Sequence, residues 1–306
     1  MADQTIAPEA DESPEHGVLP VVVTSDAPRG RHAGTRSRHV EIVVHPDATA
    51  LAEATAARLL VRLLDLQSLR SPLHLVLTGG SVGIATLRAL AASPARAAVD
   101  WSGVHVWWGD ERFVPADSPD RNERQAREAL LYALPVPPDN IHAIPAEGTV
   151  PDEAAAAAAY AAELARFSSS DDEVDDLSPS GGVAPGGSPA APSAVPEFDV
   201  LLLGVGPDGH VASLFPGHAT LHERVRTVVG EADSPKLPPR RVSLTYGAIG
   251  AAREVWLVVA GDDKAEAVAA ALSGARVDEI PAAGAVGTER TLWLVDVTAA
   301  SRIPTP

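Results

Sequence analysis

The residue types best suited to catalysis lie in one glycine-rich loop, where Asp208 and His210 follow the apolar run Val200–Leu203. Such an unbroken apolar run is typical of a parallel strand covered on both faces, and open α/β sheets bind ligands at the carboxyl ends of their strands. A histidine there can take and return a proton near neutral pH, and a nearby carboxylate can orient its ring. The two side chains could instead form a purely structural pair, and the sequence leaves both interpretations open.

A second glycine-containing turn, Thr78-Gly-Gly-Ser81, joins a predicted strand to a predicted helix. Gly79 and Gly80 would let the backbone approach a ligand, and the free N–H groups at the start of the helix would favour a phosphate. Equally, the turn could be an ordinary strand-to-helix connection with Ser81 as the N-cap. The motif lacks the Gly-Lys-Ser/Thr ending of a nucleotide-binding P-loop, so we do not expect ATP or GTP.

Two cations follow other predicted strands and should therefore lie on the same rim of the sheet. Arg112 ends the segment Gly109-Asp-Glu-Arg112, and its planar guanidinium suits a two-pronged contact with phosphate. Asp110 in the same segment could orient water or another side chain. Lys264, one of only two lysines in the chain, begins a predicted helix. The alternative for segment 109–112 is a surface cluster of salt bridges.

The glycines of loop 204–209 also match the dinucleotide-binding spacing G-x-G-x-x-G. That fingerprint needs a helix packed directly behind its third glycine. Here Pro207 lies inside the loop, and Pro216-Gly217 ends any helix after a few residues. We therefore do not expect nicotinamide or flavin binding.

Alternating strand and helix patterns supply the scaffold that must position these loops, and they predict an α/β fold with a doubly wound, mostly parallel sheet. The predicted strands are Val40–Val44, Leu73–Leu77, Val104–Trp108, Ile141–Ile144, Val200–Leu203, Val225–Val229, Val255–Val259 and Leu292–Val295. The predicted helices follow Asp47 and Ser81 and then cover Arg121–Ala133, Asp152–Phe167, Thr245–Ala252 and Lys264–Leu272. His74 and His105 fall within predicted strands, and we expect them to be packing residues.

Two segments break this alternation. Residues 1 to about 37 are rich in proline, acids and small residues without an apolar period, and we predict a disordered tail. Residues 168–196 combine a run of acids with repeated Gly, Pro, Ser and Ala, which is typical of a flexible insertion. A docking or regulatory role is the alternative for this insertion. The remaining residues, 38–300, should form a single domain.

Composition excludes several classes of protein. A formal net charge of −17 argues against nucleic acid as a partner and means that an anionic substrate needs a locally basic pocket. The absence of cysteine excludes disulfides and thiolate chemistry. The sequence also lacks a membrane-spanning apolar run, a secretory signal, metal-ligand spacing and a Gly-x-Ser-x-Gly elbow. We therefore expect a cytoplasmic monomer or small homo-oligomer without a membrane partner.

Further motifs complete the pattern. The loop motifs continue as Trp108-Gly-Asp-Glu-Arg-Phe-Val114 and Gly204-x-Gly-x-Asp-Gly-His-x-Ala-Ser-Leu-Phe-Pro-Gly217, and they are joined by Asn122 and by Pro239-x-Arg241-Val-Ser-Leu-Thr245. Together with Thr78-Gly-Gly-Ser81 and Lys264, they resemble the 6-phosphogluconolactonase family, which belongs with the glucosamine-6-phosphate deaminases. The resemblance runs from about Val40 to Asp296 and is most specific around His210.

The resemblance implies a modified Rossmann-like fold and the hydrolysis of 6-phospho-D-glucono-1,5-lactone to 6-phosphogluconate in the oxidative pentose phosphate pathway, without a metal or organic cofactor. His210 would be the general base and acid, and Asp208 would orient the loop or the imidazole. The phosphorylated substrate would be bound by Gly79, Gly80, Ser81, Asp110, Arg112 and Lys264.

The related deaminases are the main alternative. They resemble Asp-Gly-His-x-Ala-Phe-Asn-Glu in the central motif, where the Glu assists ring opening, and this chain has Phe215 at that position. An aromatic ring cannot transfer protons, and the deaminases also have Asp-Glu-Tyr where this chain has Asp110-Glu-Arg112. Both differences favour the lactonase. A non-catalytic sugar-phosphate sensor is the third hypothesis, but a sensor needs no residue of the His210 type.

Overall fold

The computed structural model describes residues 21–26, 39–168 and 195–304, which form a main sheet, a smaller sheet and the helices packed on them. The strands are β1 (Val21–Asp26), β2 (His39–His45), β3 (Leu73–Leu77), β4 (Val104–Trp108), β5 (Asp110–Arg112), β6 (Val200–Leu203), β7 (Val228–Glu231), β8 (Arg241–Leu244), β9 (Glu254–Val259) and β10 (Arg290–Asp296). The helices are α1 (Ala48–Gln67), α2 (Ser81–Ala92), α3 (Asn122–Ala129), α4 (Glu153–Ala165), α5 (Tyr246–Ile249) and α6 (Ala265–Leu272). Within the described ranges, no helix is long and apolar enough to cross a membrane.

The main sheet has the strand order β1-β2-β10-β9-β6-β3-β4. Every neighbouring pair is parallel except β1 and β2, which are antiparallel. The central strands β3, β6 and β9 are buried along their whole length, as expected of apolar runs covered on both faces. The predicted α/β fold with a mostly parallel sheet is confirmed.

The topology places a ligand crevice between β3 and β6. From β3 the chain continues through α2 to β4 at one edge of the sheet, whereas from β6 it proceeds to β9 and β10 on the opposite side. Connections that diverge from two neighbouring strands open a crevice at their carboxyl ends, which is where α/β sheets bind ligands. Both glycine-rich loops singled out in the sequence follow these two strands.

Helix α1 shows how the sequence specifies the scaffold. The side chain of Asp47 accepts a hydrogen bond from the N–H of Ala50 and so caps the first turn. Leu51, Leu59 and Leu63 recur on one face of the helix and are fully buried, and α1 packs against α2 and β10. Replacing Leu59 with Ala would leave a cavity and reduce the free energy of unfolding by about 2–5 kcal/mol.

A second, antiparallel sheet of order β5-β8-β7 was not predicted. We expected Gly109–Arg112 to be a loop, but Asp110 pairs with Ser243 and Arg112 pairs with Arg241 across β5 and β8. The short, charged strand β5 has no apolar alternation, so its sequence carries no strand signal. The tertiary pairing with β8 therefore determines its conformation.

Several predicted boundaries need correction. Val21–Asp26, which we assigned to the disordered tail, forms β1, because a β-branched run can pair with the open edge of β2. Ile141–Ile144 is not a strand, since only Ile141 forms a bridge, with Val106. The predicted helix Arg121–Ala133 is divided into α3 and a separate 3-10 turn, Leu131–Ala133.

Shorter adjustments apply further along the chain. The strand predicted at Val225–Val229 is β7, and the helix predicted at Thr245–Ala252 is the short α5. The rest of the predicted tail and residues 169–194 of the predicted insertion lie outside the described residues. Val195, at the end of that insertion, is already buried in the core.

His74 and His105 are packing residues, as predicted. Nδ1 of His74 accepts a hydrogen bond from Trp107 Nε1 at 3.1 Å, and His105 Nδ1 lies 2.9 Å from Nε2 of His142. His142 also contacts Glu163, with its Nδ1 2.9 Å from Oε1. Burial and the neighbouring histidines lower the pKa of His74 to about 4, so its imidazole is neutral at physiological pH.

Candidate active site

A cavity of about 140 Å³ lies between the loops that follow β3 and β6. The N–H of Gly204 donates a hydrogen bond to Thr78 Oγ1 at 3.2 Å, which joins the two loops directly. The lining combines the backbone of both loops with the side chains of Asp110, Arg112, Asn122, His210 and Arg241. The cavity therefore contains a titratable base, a carboxylate and two guanidinium groups.

His210 is bonded to Asp208 through one ring nitrogen. Its Nδ1 lies 2.5 Å from Asp208 Oδ1, and its side chain is 15% exposed. Burial disfavours the charged form of Asp208, but the hydrogen bond and charge of His210 and the ammonium of Lys236, 3.8 Å away, together lower the pKa of Asp208 to about 2. Because Asp208 is a carboxylate, Nδ1 of His210 must donate, and Nε2 is left to exchange protons.

Glycine is required beside this pair. A Cβ atom on Gly206 would lie 2.0 Å from the imidazole of His210 and 2.6 Å from Asp208 Oδ1. Gly209 has a φ of 78°, the left-handed region that other residues rarely adopt. The N–H of Gly206 donates to the carbonyl of His210 at 3.0 Å and closes the loop. The glycine spacing serves the Asp208–His210 geometry, and the residues directly after Gly209 form turns and not an α-helix.

Arg112 reaches the cavity from β5 and is held by α3. Its Nη1 donates to Asn122 Oδ1 at 2.7 Å and to the carbonyl of Asp120 at 2.8 Å, whereas its buried Nε has no hydrogen-bond partner among the described residues. Asn122 packs so closely on Gly79 that a Cβ atom there would lie 2.0 Å from its Oδ1. Gly79 thus permits the contact between the first glycine loop and the Arg112–Asn122 pair.

Asp110 lies at the start of β5 and is almost completely buried. Its Oδ2 accepts a hydrogen bond from Ser213 Oγ at 2.7 Å, and its backbone carbonyl accepts from Asn122 Nδ2 at 2.9 Å. Asp110 therefore links β5 to α3 through its backbone carbonyl and to the chain that continues from His210 through its carboxylate. Its fixed position suits the orientation of a substrate hydroxyl or a water.

Arg241 also lines the cavity. It belongs to the motif Pro239-x-Arg241-Val-Ser-Leu-Thr245, but we did not predict it as a site residue. It begins β8, and its Nε and Nη2 donate to the carbonyls of Pro238 and Lys236 at 3.1 and 3.2 Å. Burial lowers the pKa of Arg241. The negative charge of Asp110 opposes this shift, and the positive charge of Arg112 adds to it. Its place on the lining depends on the pairing of β5 with β8, and no local pattern indicates that pairing.

The first glycine loop ends at the N-terminus of α2. Gly80, with a φ of 81°, is the N-cap and offers no capping side chain, so Ser81 is the first residue of the helix and not its cap. The first N–H groups of α2 have no partner within the helix, which favours an anion there. Ser81 itself does not line the cavity.

Lys264 also lies outside the cavity lining. Its ammonium is 2.7 Å from Asp263 Oδ2, and it ends a short 3-10 turn before α6. β9, which precedes this turn, is the neighbour of β6 in the sheet, so Lys264 follows a strand end on the same rim. Of the predicted site residues, the structure gathers Gly79, Gly80, Asp110, Arg112 and His210 around one cavity, with Asp208 behind His210.

Comparison with known proteins identifies the same group of enzymes. Residues 46–293 match the family described as glucosamine-6-phosphate isomerases/6-phosphogluconolactonase. The chain is 53% identical over 266 residues to the 6-phosphogluconolactonase of Streptomyces coelicolor, and the alignment covers 86% of this chain and 95% of that protein.

Solved structures agree with this match. The structure of 6-phosphogluconolactonase from Trypanosoma brucei has a TM-score of 0.67 and 28% identity, covering 86% of this chain and 98% of that one. A monomeric glucosamine-6-phosphate deaminase, at 18% identity and a TM-score of 0.63 over 85% of this chain and 99% of that one, shares the fold alone. The modified Rossmann-like fold expected from the motifs is thereby confirmed. The chain belongs to the family of glucosamine-6-phosphate isomerases and 6-phosphogluconolactonases.

Proposed function

We propose that this chain hydrolyses 6-phospho-D-glucono-1,5-lactone to 6-phospho-D-gluconate, the lactone-opening step of the oxidative pentose phosphate pathway. The observation that carries this proposal is the Asp208–His210 pair at a cavity that also presents the guanidinium groups of Arg112 and Arg241. The 53% identity to a protein named 6-phosphogluconolactonase supports the same activity.

In the proposed reaction, His210 activates water. With Nδ1 donating to Asp208, Nε2 of the neutral ring takes a proton from water as the water oxygen attacks the lactone carbonyl carbon. The carbonyl oxygen becomes an oxyanion, and the carboxylate of Asp208 stabilises the imidazolium. The bond between the carbonyl carbon and the ring oxygen then breaks, and the ring oxygen receives the proton from His210. Water is thus added across the ester bond, and His210 returns to its starting state.

Binding of the phosphate is assigned to Arg112 and the first glycine loop. Arg112 and the N–H groups at the start of α2, beside Gly79 and Gly80, form a positive region in a chain of net charge −17. Pockets for small molecules usually measure about 300–1,000 Å³, so in a cavity of about 140 Å³ part of the substrate must extend outwards. We assign Ser81 and Lys264 to that outer part, where Lys264 would exchange Asp263 for the phosphate.

The position of Phe215 favours the lactonase over the deaminase. Its ring is fully buried, and its centroid lies 4.6 Å from that of His210. At the position where the deaminase motif has a proton-transferring Glu, this chain therefore places an apolar ring against the catalytic imidazole. A sensor that only binds sugar phosphates would have no use for an Asp208–His210 pair of this geometry.

A direct comparison of substrates tests the proposal. The lactone is generated in place by glucose-6-phosphate dehydrogenase, and its disappearance is followed against the spontaneous background. We expect faster hydrolysis in the presence of the protein and no ammonia from glucosamine 6-phosphate. Release of ammonia without lactone hydrolysis would establish the deaminase, and phosphosugar binding without either reaction would establish the sensor.

We also propose that the chain acts in the cytoplasm as a monomer or small homo-oligomer. The lack of cysteine supports the location. Cell fractionation and light scattering of the purified protein measure both properties.

A further inference from the structure

Glu111 is a buried carboxylate for which the proposed reaction has no use. It lies in the middle of β5 between Asp110 and Arg112, and only 1% of its surface is exposed. Its Oε1 accepts hydrogen bonds from the backbone N–H groups of Arg112 at 2.8 Å and Asn122 at 2.7 Å. Its Oε2 accepts from the N–H of Glu123 at 2.9 Å. One side chain therefore binds the backbone of two cavity residues.

The contacts also supply a cap that α3 otherwise lacks. Asn122 and Glu123 are the first two residues of α3, and the N-cap residue Arg121 makes no capping hydrogen bond. The first N–H groups of a helix need an acceptor from outside the helix. Glu111 provides it from a strand, which fixes the start of α3 against β5.

The charge of Glu111 is balanced within the core. Arg121 is only 2% exposed, and its Nη2 lies 3.7 Å from Glu111 Oε2. Burial raises the pKa of Glu111 to about 7, whereas Arg121 and the three backbone N–H groups oppose this shift. Three N–H donors aimed at two oxygens match the acceptor-only character of the carboxylate. The arrangement of these donors therefore favours the charged form of Glu111 and offsets part of the cost of its burial.

We propose that Glu111 is a positioning residue that holds Arg112 and Asn122 together so that the guanidinium of Arg112 is oriented for the substrate phosphate. The side chains of these two residues meet at the 2.7 Å bond from Arg112 Nη1 to Asn122 Oδ1. Glu111 fixes the backbone beneath both ends of that bond. This inference rests on the proposed function, because it takes Arg112 to be a phosphate ligand.

The test is a double-mutant cycle between Glu111→Gln and Arg112→Ala. The Gln side chain keeps one carbonyl oxygen but turns an NH₂ group towards a backbone N–H and removes the anion that faces Arg121. For the phosphorylated lactone, we expect E111Q to raise KM about tenfold, with kcat little changed. In the R112A background the same change should have almost no further effect, and the KM for unphosphorylated gluconolactone should not rise.

Glu123→Gln is the matched control. Glu123 also faces Arg121, with an Oε2–Nε distance of 3.6 Å, and the other ion pair of its side chain is with Arg127. We expect E123Q to keep the wild-type KM. If E111Q fails to fold, Glu111→Asp carries the same test, because it keeps the charge and withdraws the carboxylate from the N–H groups.

The outcomes distinguish a failure of the role proposed for Glu111 from a failure of the phosphate assignment of Arg112. Additive effects of E111Q and R112A, or equal losses on both lactones, would show that Glu111 only stabilises the fold and would overturn the inference alone. A wild-type KM for R112A on the phosphorylated lactone would instead overturn the phosphate assignment of Arg112, and this inference with it.

Discussion

Nδ1 of His210 lies 2.5 Å from Oδ1 of Asp208, so the imidazole is oriented through one nitrogen and keeps the other for proton transfer. Asp208→Asn should reduce hydrolysis of the phosphorylated lactone by about 10²–10⁴-fold, because an amide cannot balance the charge of the imidazolium. Steady-state rates with the variant test this, and circular dichroism controls for folding. A loss smaller than about threefold would show that Asp208 only shapes the loop.

The contribution of the Asp208 carboxylate to stability should be lost only in strong acid. The pKa of Asp208 is lowered to about 2, below its unfolded value of 3.8, so its stabilising effect is complete above the unfolded value and is lost only as the pH falls through about 2. We expect the difference in free energy of unfolding between wild type and D208N to change as the pH falls from about 4 towards 2, because wild type loses the contribution of the carboxylate there. Urea denaturation across this range measures the difference, and a difference that stays constant there would contradict the lowered pKa of Asp208.

The histidine cluster should make the fold sensitive to acid. The pKa of His74 is lowered from 6.5 to about 4, so the unfolded chain binds a proton that the folded chain excludes between these values. Stability is therefore full above a pH of about 6.5 and falls as the pH decreases towards 4. At a pH of about 5, the expected loss of free energy of unfolding from His74 is about 2 kcal/mol.

His74→Asn isolates this effect. The Asn oxygen can still accept the hydrogen bond from Trp107 Nε1, but the side chain does not titrate. Urea denaturation near neutrality and at a pH of about 5 should show that the variant loses about 2 kcal/mol less than wild type on acidification. Equal losses would mean that His74 is not responsible.

The phosphate assignment predicts selectivity between two lactones. Arg112→Ala and Lys264→Ala should each weaken the use of the phosphorylated lactone by about 2–5 kcal/mol in kcat/KM, because each removes one partner of a charge-assisted contact. Hydrolysis of unphosphorylated gluconolactone should change little, because that substrate has no phosphate for these cations to bind. Arg226→Ala is the control, since Arg226 is exposed, pairs with Glu223 and does not line the cavity. Equal losses on both lactones would place Arg112 or Lys264 in the reaction itself or in loop structure.

The part of the fold that carries strong local patterns was predictable. The apolar runs of β3, β6 and β9 lie buried in the main sheet, and the loops after β3 and β6 meet because parallel strands present their carboxyl ends on one rim. Five of the eight predicted site residues consequently line one cavity. A sixth, Asp208, does not line it but is hydrogen-bonded to His210, which does.

The second sheet and the cavity residues on it depend on the pairing of strands that are distant in the sequence. No local sequence pattern indicates this pairing. Strand β5 consists of three charged residues, and it is extended because β8 pairs with it. Arg241 reaches the cavity only through that pairing, and Glu111 is buried for the same reason. Ile141–Ile144 has a strand-like composition, yet only Ile141 forms a β-bridge with β4. The local sequence pattern therefore predicted the loop that contains His210. It did not predict the second sheet, which carries Arg112 and Arg241.

The rate of lactone opening by His210→Ala tests the central claim most directly. We expect a loss of about 10²–10⁴-fold relative to wild type, which is the usual contribution of a general base. Calorimetric binding of 6-phosphogluconate should stay close to wild type, since we assign the phosphate to Arg112 and the start of α2 and not to His210. A variant that hydrolyses the lactone within about threefold of the wild-type rate would contradict the assignment of His210 as the catalytic base.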